Sequence, residues 1–309
     1  MKNAILAMSA AVLMLSACQQ FQEGEGGMQY KIVEDKGEPK LLEGDFVAFG
    51  AKISTESDSV VLNTADVGQP SYIQLQAPMY KGDLMTAFMK LGKGDSGVFK
   101  MRIDSLKKLG MQVPENTTGD FLQYAIRINH VIPKGDLADS VWQEQVETYI
   151  KGEEEKAKNA EAGKISDYIE SNGLEVQKTA SGIQYVLETE GKGPVARPGD
   201  TVQVNYTGRF LNGKVFDTSI KEIAQKEGHY MEQRPYEPIK VPVGLGTVIP
   251  GWDEGLTIFP EGSKVKMILP SKLAYGDRGS MGIPPFTPLV FELDVIDVIP
   301  QKQDAGTKE

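Results

Sequence analysis

The sequence is poor in the residues that build redox and metal sites. Its 309 residues include one cysteine and two histidines, so neither a zinc site nor a thiol-based catalytic site can be assembled. Positive charge is also scarce, because 33 lysines and arginines face 43 aspartates and glutamates. Phosphate binding requires clustered positive charge. These scarcities argue against a metal enzyme, a thiol enzyme and a nucleic-acid partner.

A glycine-rich segment at residues 244–251 imitates a dinucleotide-binding loop, because it follows an extended run and precedes a helix. The third glycine of that fingerprint is missing, Pro250 interrupts the segment, and no βαβ unit surrounds it. The adjacent carboxylates Asp253 and Glu254 point in different directions on a helix and suit its solvated N-terminal turn. The sequence therefore predicts no cofactor and no metal.

The N-terminus has the layout of a bacterial export signal. Residues 4–15 are apolar but too short to span a bilayer, and Leu15-Ser-Ala-Cys18 ends the run with small residues. This tetrapeptide resembles the bacterial lipobox, which implies removal of residues 1–17 and attachment of lipid to Cys18. Gln19 resembles the residue that follows the cysteine in lipoproteins sorted to the outer membrane. The alternative is an ordinary secretory signal with an unrelated cysteine.

Lipid on Cys18 predicts a protein anchored in the bacterial cell envelope, and the side of the membrane stays open. With its one cysteine used by lipid, the mature chain contains no disulfide, so packing must supply its stability. Residues 18–27 are polar and rich in Gly and Glu, which is typical of a flexible tether.

An internal repeat organises the rest of the chain. Similar runs recur at corresponding places, and each copy ends in an alternating apolar and polar run that stops at a proline. The matched pairs are Gly27–Tyr30 with Gly182–Tyr185, Gly44-Asp45 with Gly199-Asp200, and Tyr124–Pro133 with Phe291–Pro300. The repeat predicts a first domain at 28–133, a helical connector at 134–178, a second domain at 179–300 and a polar tail at 301–309.

Alternating residues predict an antiparallel sheet in the second copy. Residues 201–210 place Val202, Val204 and Tyr206 on one face. The same pattern recurs in two later runs, so the sheet is antiparallel and curved. Residues 251–258 predict a short helix whose Trp252 faces the concave side. An α+β domain with one small core follows.

An inserted helix is predicted at 219–228, where Ser219 has capping-box spacing and Gly228 is a C-terminal stop. Tyr230 and Tyr236 would follow it in the same loop, beside whatever pocket the sheet and the short helix enclose.

Five separated motifs occur in order in the second copy. They are Val204–Gly208, Lys214–Thr218, Val248–Gly255, Leu273–Gly276 and Ile283–Pro285. At these motifs the chain resembles the FKBP family of peptidyl-prolyl cis-trans isomerases, over 179–300 and more faintly over 28–133. The resemblance implies two FKBP-like domains, each a curved antiparallel half-barrel sheet around a short helix, joined by a helical connector.

The resemblance also implies an aromatic, apolar proline-binding pocket in the second domain. In the family the tryptophan forms the floor, and a backbone N–H, here that of Ile249, and a tyrosine hydroxyl, here that of Tyr275, hold substrate carbonyls. The implied catalytic residues are Tyr206, Phe216, Asp217, Trp252, Tyr275 and Phe291, and the implied substrate-binding residues are Val248, Ile249, Ile283 and Ile239. We interpret Asp217 as an orienting acceptor, because rotation about an X–Pro bond makes and breaks no bond.

Two places depart from the family pattern. Ile239 and Val241 stand where the family often carries aromatic residues, so the wall there is aliphatic. The loop at 282–284 is one residue shorter than usual in the family.

The first copy lacks the side chains of this pocket, and no Tyr-Gly follows the corresponding strand. The replacements are Ala51 for Tyr206, Val61 or Leu62 for Phe216, Leu62 or Asn63 for Asp217, and Leu84 for Trp252, while Tyr124 keeps an aromatic ring opposite Phe291. We expect this domain to be a scaffold or a client-binding module without isomerase activity.

The connector carries an apolar stripe over 139–172 on a helix that begins at a second capping box, at Ser140, and is continuous or broken near Gly152 or Gly163. The stripe either packs on its own two domains or forms the seam of a homodimer, as helices outside the isomerase domain do in bacterial relatives.

The leading function is a lipid-anchored isomerase that acts on unfolded or proline-containing segments of exported proteins and that binds macrolide inhibitors of the family. The alternative is an envelope chaperone or assembly scaffold that binds unfolded clients, with isomerisation incidental.

Overall fold

The computed structural model describes residues 20–108, 113, 119–228, 230–280 and 282–301. The predicted signal peptide and Cys18 lie outside the described residues. Two seven-stranded antiparallel sheets and one long helix between them in the chain dominate the structure. This arrangement confirms the predicted α+β class with two domains.

The first sheet precedes the long helix. Its strands are β1 (Gln22–Glu23), β2 (Gln29–Glu34), β3 (Phe46–Thr55), β4 (Val60–Asn63), β5 (Ser71–Gln74), β6 (Ser96–Arg102) and β7 (Phe121–Ile132). Two short helices, α1 (Leu84–Phe88) and α2 (Ile103–Lys108), lie in this part of the chain, and the long helix that follows it is α3 (Asp139–Ser171). The strand order is β1-β2-β6-β7-β3-β4, and β5 pairs with β3.

The second sheet follows the long helix. Its strands are β8 (Gln177–Lys178), β9 (Gln184–Thr189), β10 (Thr201–Phe210), β11 (Val215–Thr218), β12 (Ile239–Pro242), β13 (Lys264–Leu269) and β14 (Leu289–Ile299). Its helices are α4 (Lys221–Lys226) and α5 (Pro250–Gly255). The order β11-β10-β14-β13-β9-β8, with β12 beside β10, reproduces the first sheet strand for strand.

Local details repeat as well as topology. Each sheet has a β-bulge at the same place in its central pair, between Ala48 and Phe49 in β3 and between Gln203 and Val204 in β10. In both copies an aspartate accepts a hydrogen bond from the backbone just after the last strand. Asp45 accepts from Lys134 N at 3.0 Å and Asp200 from Gln301 N at 2.8 Å. The internal repeat is thus confirmed.

The core of the second domain lies between β10, β13 and β14 on one side and α5 on the other. The apolar residues of β10 alternate as predicted, with Val202 and Val204 fully buried. Helix α5 begins at Pro250, whose φ is already helical and whose missing N–H costs nothing in a first turn. Trp252 and Leu256 are both buried in the core. The full burial of an aliphatic side chain such as Leu256 stabilises the fold by about 1.5–3 kcal/mol.

The two predicted capping boxes are wrong. Helix α4 begins at Lys221 after Ile220, with no side-chain cap, because the Ser219 hydroxyl is already bonded to strand β10. It donates to Asn205 Oδ1 at 3.0 Å and accepts from Tyr206 N at 2.9 Å. Ser140 lies inside α3, which begins one residue earlier without a side-chain cap. The predicted stop at Gly228 agrees with its φ of 76° just after the helix.

Helix α3 is continuous for 33 residues and passes through both glycines at which a break was considered. Near its start Trp142 and Tyr149 pack against Phe46 of the first sheet. Near its end Ile165 packs against Ile268 and other residues of the second sheet. The apolar stripe therefore covers the helix's own two domains, and the homodimer stays a prediction.

The predicted tether is structured from Gln22 onward, because β1 pairs with β2 in the register Gln22 to Tyr30. The first short strand of each sheet, β1 and β8, lies outside the predicted domain limits of 28–133 and 179–300. Within the part of the chain that the structure describes, no helix combines the length and apolarity needed to span a membrane.

Candidate functional site

The predicted pocket residues meet in the second domain. Nine of them belong to one apolar cluster, and the tenth, Asp217, is bonded to it through Tyr206. Buried members are Tyr206, Trp252, Ile283 and Phe291, and half-buried members are Phe216, Ile239, Val248, Ile249 and Tyr275. Their individual roles stay predictions.

The aromatic rings meet edge to face. The Trp252 ring centre lies 5.2 Å from that of Tyr206 and 5.3 Å from that of Phe291, with interplanar angles of 79° and 83°. Phe216 meets Phe291 at 5.7 Å and 90°. This geometry places the positive edge of one ring on the negative face of the next. The rings thus form a rigid apolar surface with Trp252 at its centre.

Trp252 is held deep because its helix lies directly on strand β13. A Cβ atom at Gly251 would lie 2.6 Å from Leu269 Cδ1, and one at Gly255 would lie 2.6 Å from Met267 Sδ. Glycine is needed at both positions for this close approach. Trp252, between them, is 5% exposed.

A third glycine makes room for Phe216. The ring of Phe216 lies over Gly208 in strand β10, where a Cβ atom would come within 2.5 Å of its Cζ. The pairing of Gly208 with Phe291 on one side and Asp217 on the other fixes the position of this gap in the sheet. The position of the Phe216 ring therefore depends on a missing side chain.

Three hydrogen-bond donors in this cluster have no partner among the described residues. They are Trp252 Nε1, which is buried, the Tyr275 hydroxyl and the backbone N–H of Ile249 at the start of α5. Burial, together with the charge of Asp217, raises the pKa of Tyr275, so its hydroxyl keeps its proton. Unpaired donors beside an apolar surface are suited to a ligand that brings carbonyl oxygens.

Asp217 accepts hydrogen bonds from three neighbouring groups. It accepts from the Tyr206 hydroxyl at 2.5 Å, from Arg234 Nη1 at 2.6 Å and from the Thr218 N–H at 2.9 Å. Arg234 Nη2 also donates to the Tyr206 hydroxyl at 3.1 Å. Burial and the bond to Asp217 raise the pKa of Tyr206, and the bond to Asp217 raises that of Arg234. A carboxylate so paired suits an orienting role better than proton transfer.

Arg234 was not predicted from the sequence. It lies in the insert after α4, close in space to Asp217 but distant in the chain, and its guanidinium lies 5.6 Å from the Tyr236 ring centre. Asp217 itself could have indicated this partner, because a carboxylate beside an apolar cluster requires a cation or several hydrogen-bond donors. Arg234 is the only arginine of residues 219–238. Tyr230 and Tyr236 stack in the same loop at 5.4 Å.

The described residues of the first domain contain no equivalent set of side chains. Ile53 pairs with Tyr124 on one neighbouring strand and with Leu62 on the other. Gly208 pairs in the same way with Phe291 and Asp217. Leu62 therefore stands for Asp217, and Val61 stands for Phe216, which resolves the two alternatives. Phe88 and Phe99 are fully buried in its core.

Comparison with known proteins agrees with this geometry. Residues 193–296 match the family model described as FKBP-type peptidyl-prolyl cis-trans isomerase. The chain is 38% identical over 135 residues to the FKBP-type 22 kDa peptidyl-prolyl cis-trans isomerase of Escherichia coli K12, an alignment that covers 43% of this chain and 58% of that protein. The chain thus spans little more than half the length of that curated relative.

Two further similarities reach beyond the second domain. The chain is 29% identical over 253 residues to the FKBP-type isomerase FkpA of Escherichia coli K12, covering 78% of this chain and 86% of that protein. The crystal structure of FkpA from Escherichia coli aligns with 32% identity and a TM-score of 0.43, over 55% of this chain and 76% of that one. The chain, through its second domain, belongs to the FKBP-type peptidyl-prolyl cis-trans isomerase family.

Proposed function

We propose that the second domain catalyses rotation about X–Pro peptide bonds in exported proteins. The observation that carries the proposal is the edge-to-face cluster around Trp252, with unpaired donors at Tyr275 and Ile249 beside it. An apolar surface suits the proline ring, and the donors suit the carbonyl oxygens of the flanking chain.

The chemistry follows from amide resonance. Resonance gives the bond a rotation barrier of about 18–20 kcal/mol, and the uncatalysed isomerisation takes roughly tens to hundreds of seconds. The planar amide is more polar than the twisted transition state, so an apolar pocket disfavours the planar form relative to the twist. Each ~1.4 kcal/mol of this difference accelerates rotation about tenfold.

Each group has a distinct part in this mechanism. Trp252, Phe216 and Phe291 bind the proline ring. The Tyr275 hydroxyl and the Ile249 N–H hold carbonyls on the flanking chain, so that rotation is confined to one bond. Asp217, fixed by Arg234, orients the Tyr206 ring at the edge of Trp252. No proton moves in this scheme.

We further propose a place for the chain in the bacterial cell envelope, anchored by lipid on Cys18 and sorted to the outer membrane. The lipobox-like Leu15–Cys18 supports this proposal. Mass spectrometry of the membrane fraction tests it. A Cys18 peptide with a diacylglyceryl mass supports the anchor, and an unmodified cysteine or cleavage elsewhere contradicts it.

The isomerase proposal is tested by a refolding assay on a client whose slow phase is proline-limited, run with and without a macrolide inhibitor of the family. Acceleration that the macrolide removes is the expected result. A refolding rate that the full chain leaves unchanged contradicts the proposal.

A second candidate is a chaperone or assembly scaffold that binds unfolded polypeptides through the first domain. It is supported by a complete sheet that lacks the pocket side chains and by the exposed Leu42 and Met79, 68% and 86% exposed. A Trp252→Ala protein that still suppresses client aggregation favours this candidate. One that loses all benefit to refolding clients favours the isomerase.

A further inference from the structure

The loop between β13 and β14 carries two pocket residues, Tyr275 and Ile283, and is hydrogen-bonded at both ends to parts of the chain outside the second domain. At its start, Ser271 donates to the carboxylate of Glu161 on helix α3, from its backbone N–H and, at 2.9 Å, from its hydroxyl. At its end, the carbonyl of Pro285 accepts from Gln69 Nε2 at 2.7 Å. Gln69 lies just before strand β5 of the first domain.

Bonds inside the loop connect these two attachment points. The Ser271 carbonyl accepts from the Gly276 N–H at 2.8 Å, and the Gly276 carbonyl accepts from the Phe286 N–H at 2.9 Å. Phe286 has a φ of 54°, which an ordinary residue adopts only when its surroundings hold it there. Tyr275 lies within this chain of bonds, and Phe286 follows the residue that Gln69 holds.

The first domain also contacts the turn that precedes Phe216. Asp66 pairs with Lys214 at 2.7 Å and accepts from Asn212 at 3.2 Å, both in the turn that leads into Phe216. The Asp66 and Lys214 side chains are 17% and 27% exposed, so solvent screens this pair only in part. Val67, the next residue, packs against the pocket cluster itself.

We propose that Gln69 and Glu161 are positioning residues of the isomerase. They order the loop that carries Tyr275 and Ile283, and so set the affinity of the pocket for substrate. The inference rests on the proposed function of the second domain. It gives the first domain, in which Leu84 and Leu62 stand in place of Trp252 and Asp217, a defined part in the reaction of the other.

The test uses the full chain and two pairs of variants. Gln69→Ala removes a side-chain bond to a backbone carbonyl, and Gln123→Ala is its control, because Gln123 makes the same kind of bond to Thr55 within the first domain. Glu161→Ala removes the Ser271 bonds. Its control is Glu147→Ala, on the same helix, where the carboxylate meets only Lys151 in an exposed pair.

Three experiments are run on each variant. They give KM and kcat on a proline-containing peptide, the Kd of a macrolide, and the hydrogen-exchange rates of the Gly276 and Phe286 amides. Gln69→Ala and Glu161→Ala are each expected to raise KM and Kd about fivefold with kcat nearly unchanged, because loosened contacts hold ground state and transition state equally. Exchange of both amides should accelerate. Both controls should behave as the wild type.

Glu161→Gln sharpens the result, since its amide oxygen still accepts from the Ser271 N–H. Recovery of KM in this variant assigns the effect to the bond. Unchanged KM and unchanged exchange in both alanine variants overturn the proposal, as does an equal change in the controls. A wild-type chain without isomerase activity overturns the proposed function instead, and the exchange rates then decide separately whether Gln69 and Glu161 order the loop.

Discussion

The two domains share a strand order, a bulge position and a pair of terminal aspartate bonds, yet among the described residues the edge-to-face aromatic cluster around a tryptophan belongs to the second domain alone. The differences that bear on the proposed function lie at a few positions. In the first domain Ile53 stands at the position of Gly208, Leu84 at that of Trp252 and Leu62 at that of Asp217. The comparison teaches that the hydrogen-bonded frame of this fold is independent of the side chains that would rotate a proline bond.

The glycine is as informative as the aromatic residues. Phe216 can lie over the sheet only because Gly208 has no side chain, whereas Ile53 stands at the corresponding register position in the first domain. A pocket of this kind therefore needs both a ring and a gap in which the ring fits. Substitutions at Trp252, Gly208 and Asp217 test this view, in order of decreasing expected effect.

The tryptophan at the pocket floor gives the sharpest contrast. Trp252→Ala should reduce kcat/KM by at least about a hundredfold, because about 3 kcal/mol of contact is lost at the centre of the site. Leu84→Ala, the matching change in the first domain, should leave kcat/KM within about twofold. Peptide isomerisation assays on the two folded full-length variants check this. Equal losses would mean that both domains contribute to catalysis.

Filling the gap is the second test. Gly208→Ala places a methyl group against the Phe216 ring, which must shift at a strain cost of about 1–3 kcal/mol. We expect kcat/KM to fall about tenfold. Gly50→Ala in strand β3 is the control, because its Cβ atom would meet only Thr64 Oγ1 at an ordinary 3.6 Å. Wild-type activity in Gly208→Ala would show that the position of this ring is unimportant.

The carboxylate gives a smaller effect. Asp217→Asn keeps an acceptor for Tyr206 but loses the charge that pairs with Arg234. Both side chains are about one third exposed, so the loss is about 1 kcal/mol after solvent screening. We expect kcat/KM to fall about fivefold and its pH profile to keep its shape between pH 6 and 8. An inactive Asp217→Asn protein contradicts an orienting role and indicates a direct one.

A pH-dependent contact should distinguish the two ends of helix α3. His130 of the first sheet stacks on Tyr149 at 4.3 Å, and burial, with the charge of Lys93, lowers its pKa. The unfolded state therefore binds the proton first, so the free energy of unfolding should fall as the pH decreases below about 6.5. At the C-terminal end of α3, the described residues of the second sheet that contact the helix include no histidine.

Urea unfolding at pH 7 and pH 5 measures this difference. In a Trp252→Phe background Trp142 is the sole tryptophan, and it reports on the first contact of α3. His130→Phe keeps the stacked ring and should flatten the pH dependence. An unchanged slope in His130→Phe would assign the acid sensitivity to other groups.

Patterns within the chain predicted the repeat, the strands and the residues that gather around Trp252, because alternation and motif order can be read directly from the sequence. The capping boxes failed since a serine hydroxyl has competing partners, and Ser219 bonds to the neighbouring strand instead. Arg234 and the Gln69 contact were missed for a related reason. The partner of Arg234 lies 17 residues away across a loop and that of Gln69 lies 216 residues away, and nothing in the local pattern identifies them.

Two copies of the fold with a single proline-binding pocket should give one ligand site per chain. Calorimetric titration of the full chain with a macrolide inhibitor of the family measures this number, because the stoichiometry counts the pockets. We expect one site per chain, lost in Trp252→Ala and kept in Leu84→Ala. Two sites per chain, or none, would contradict it.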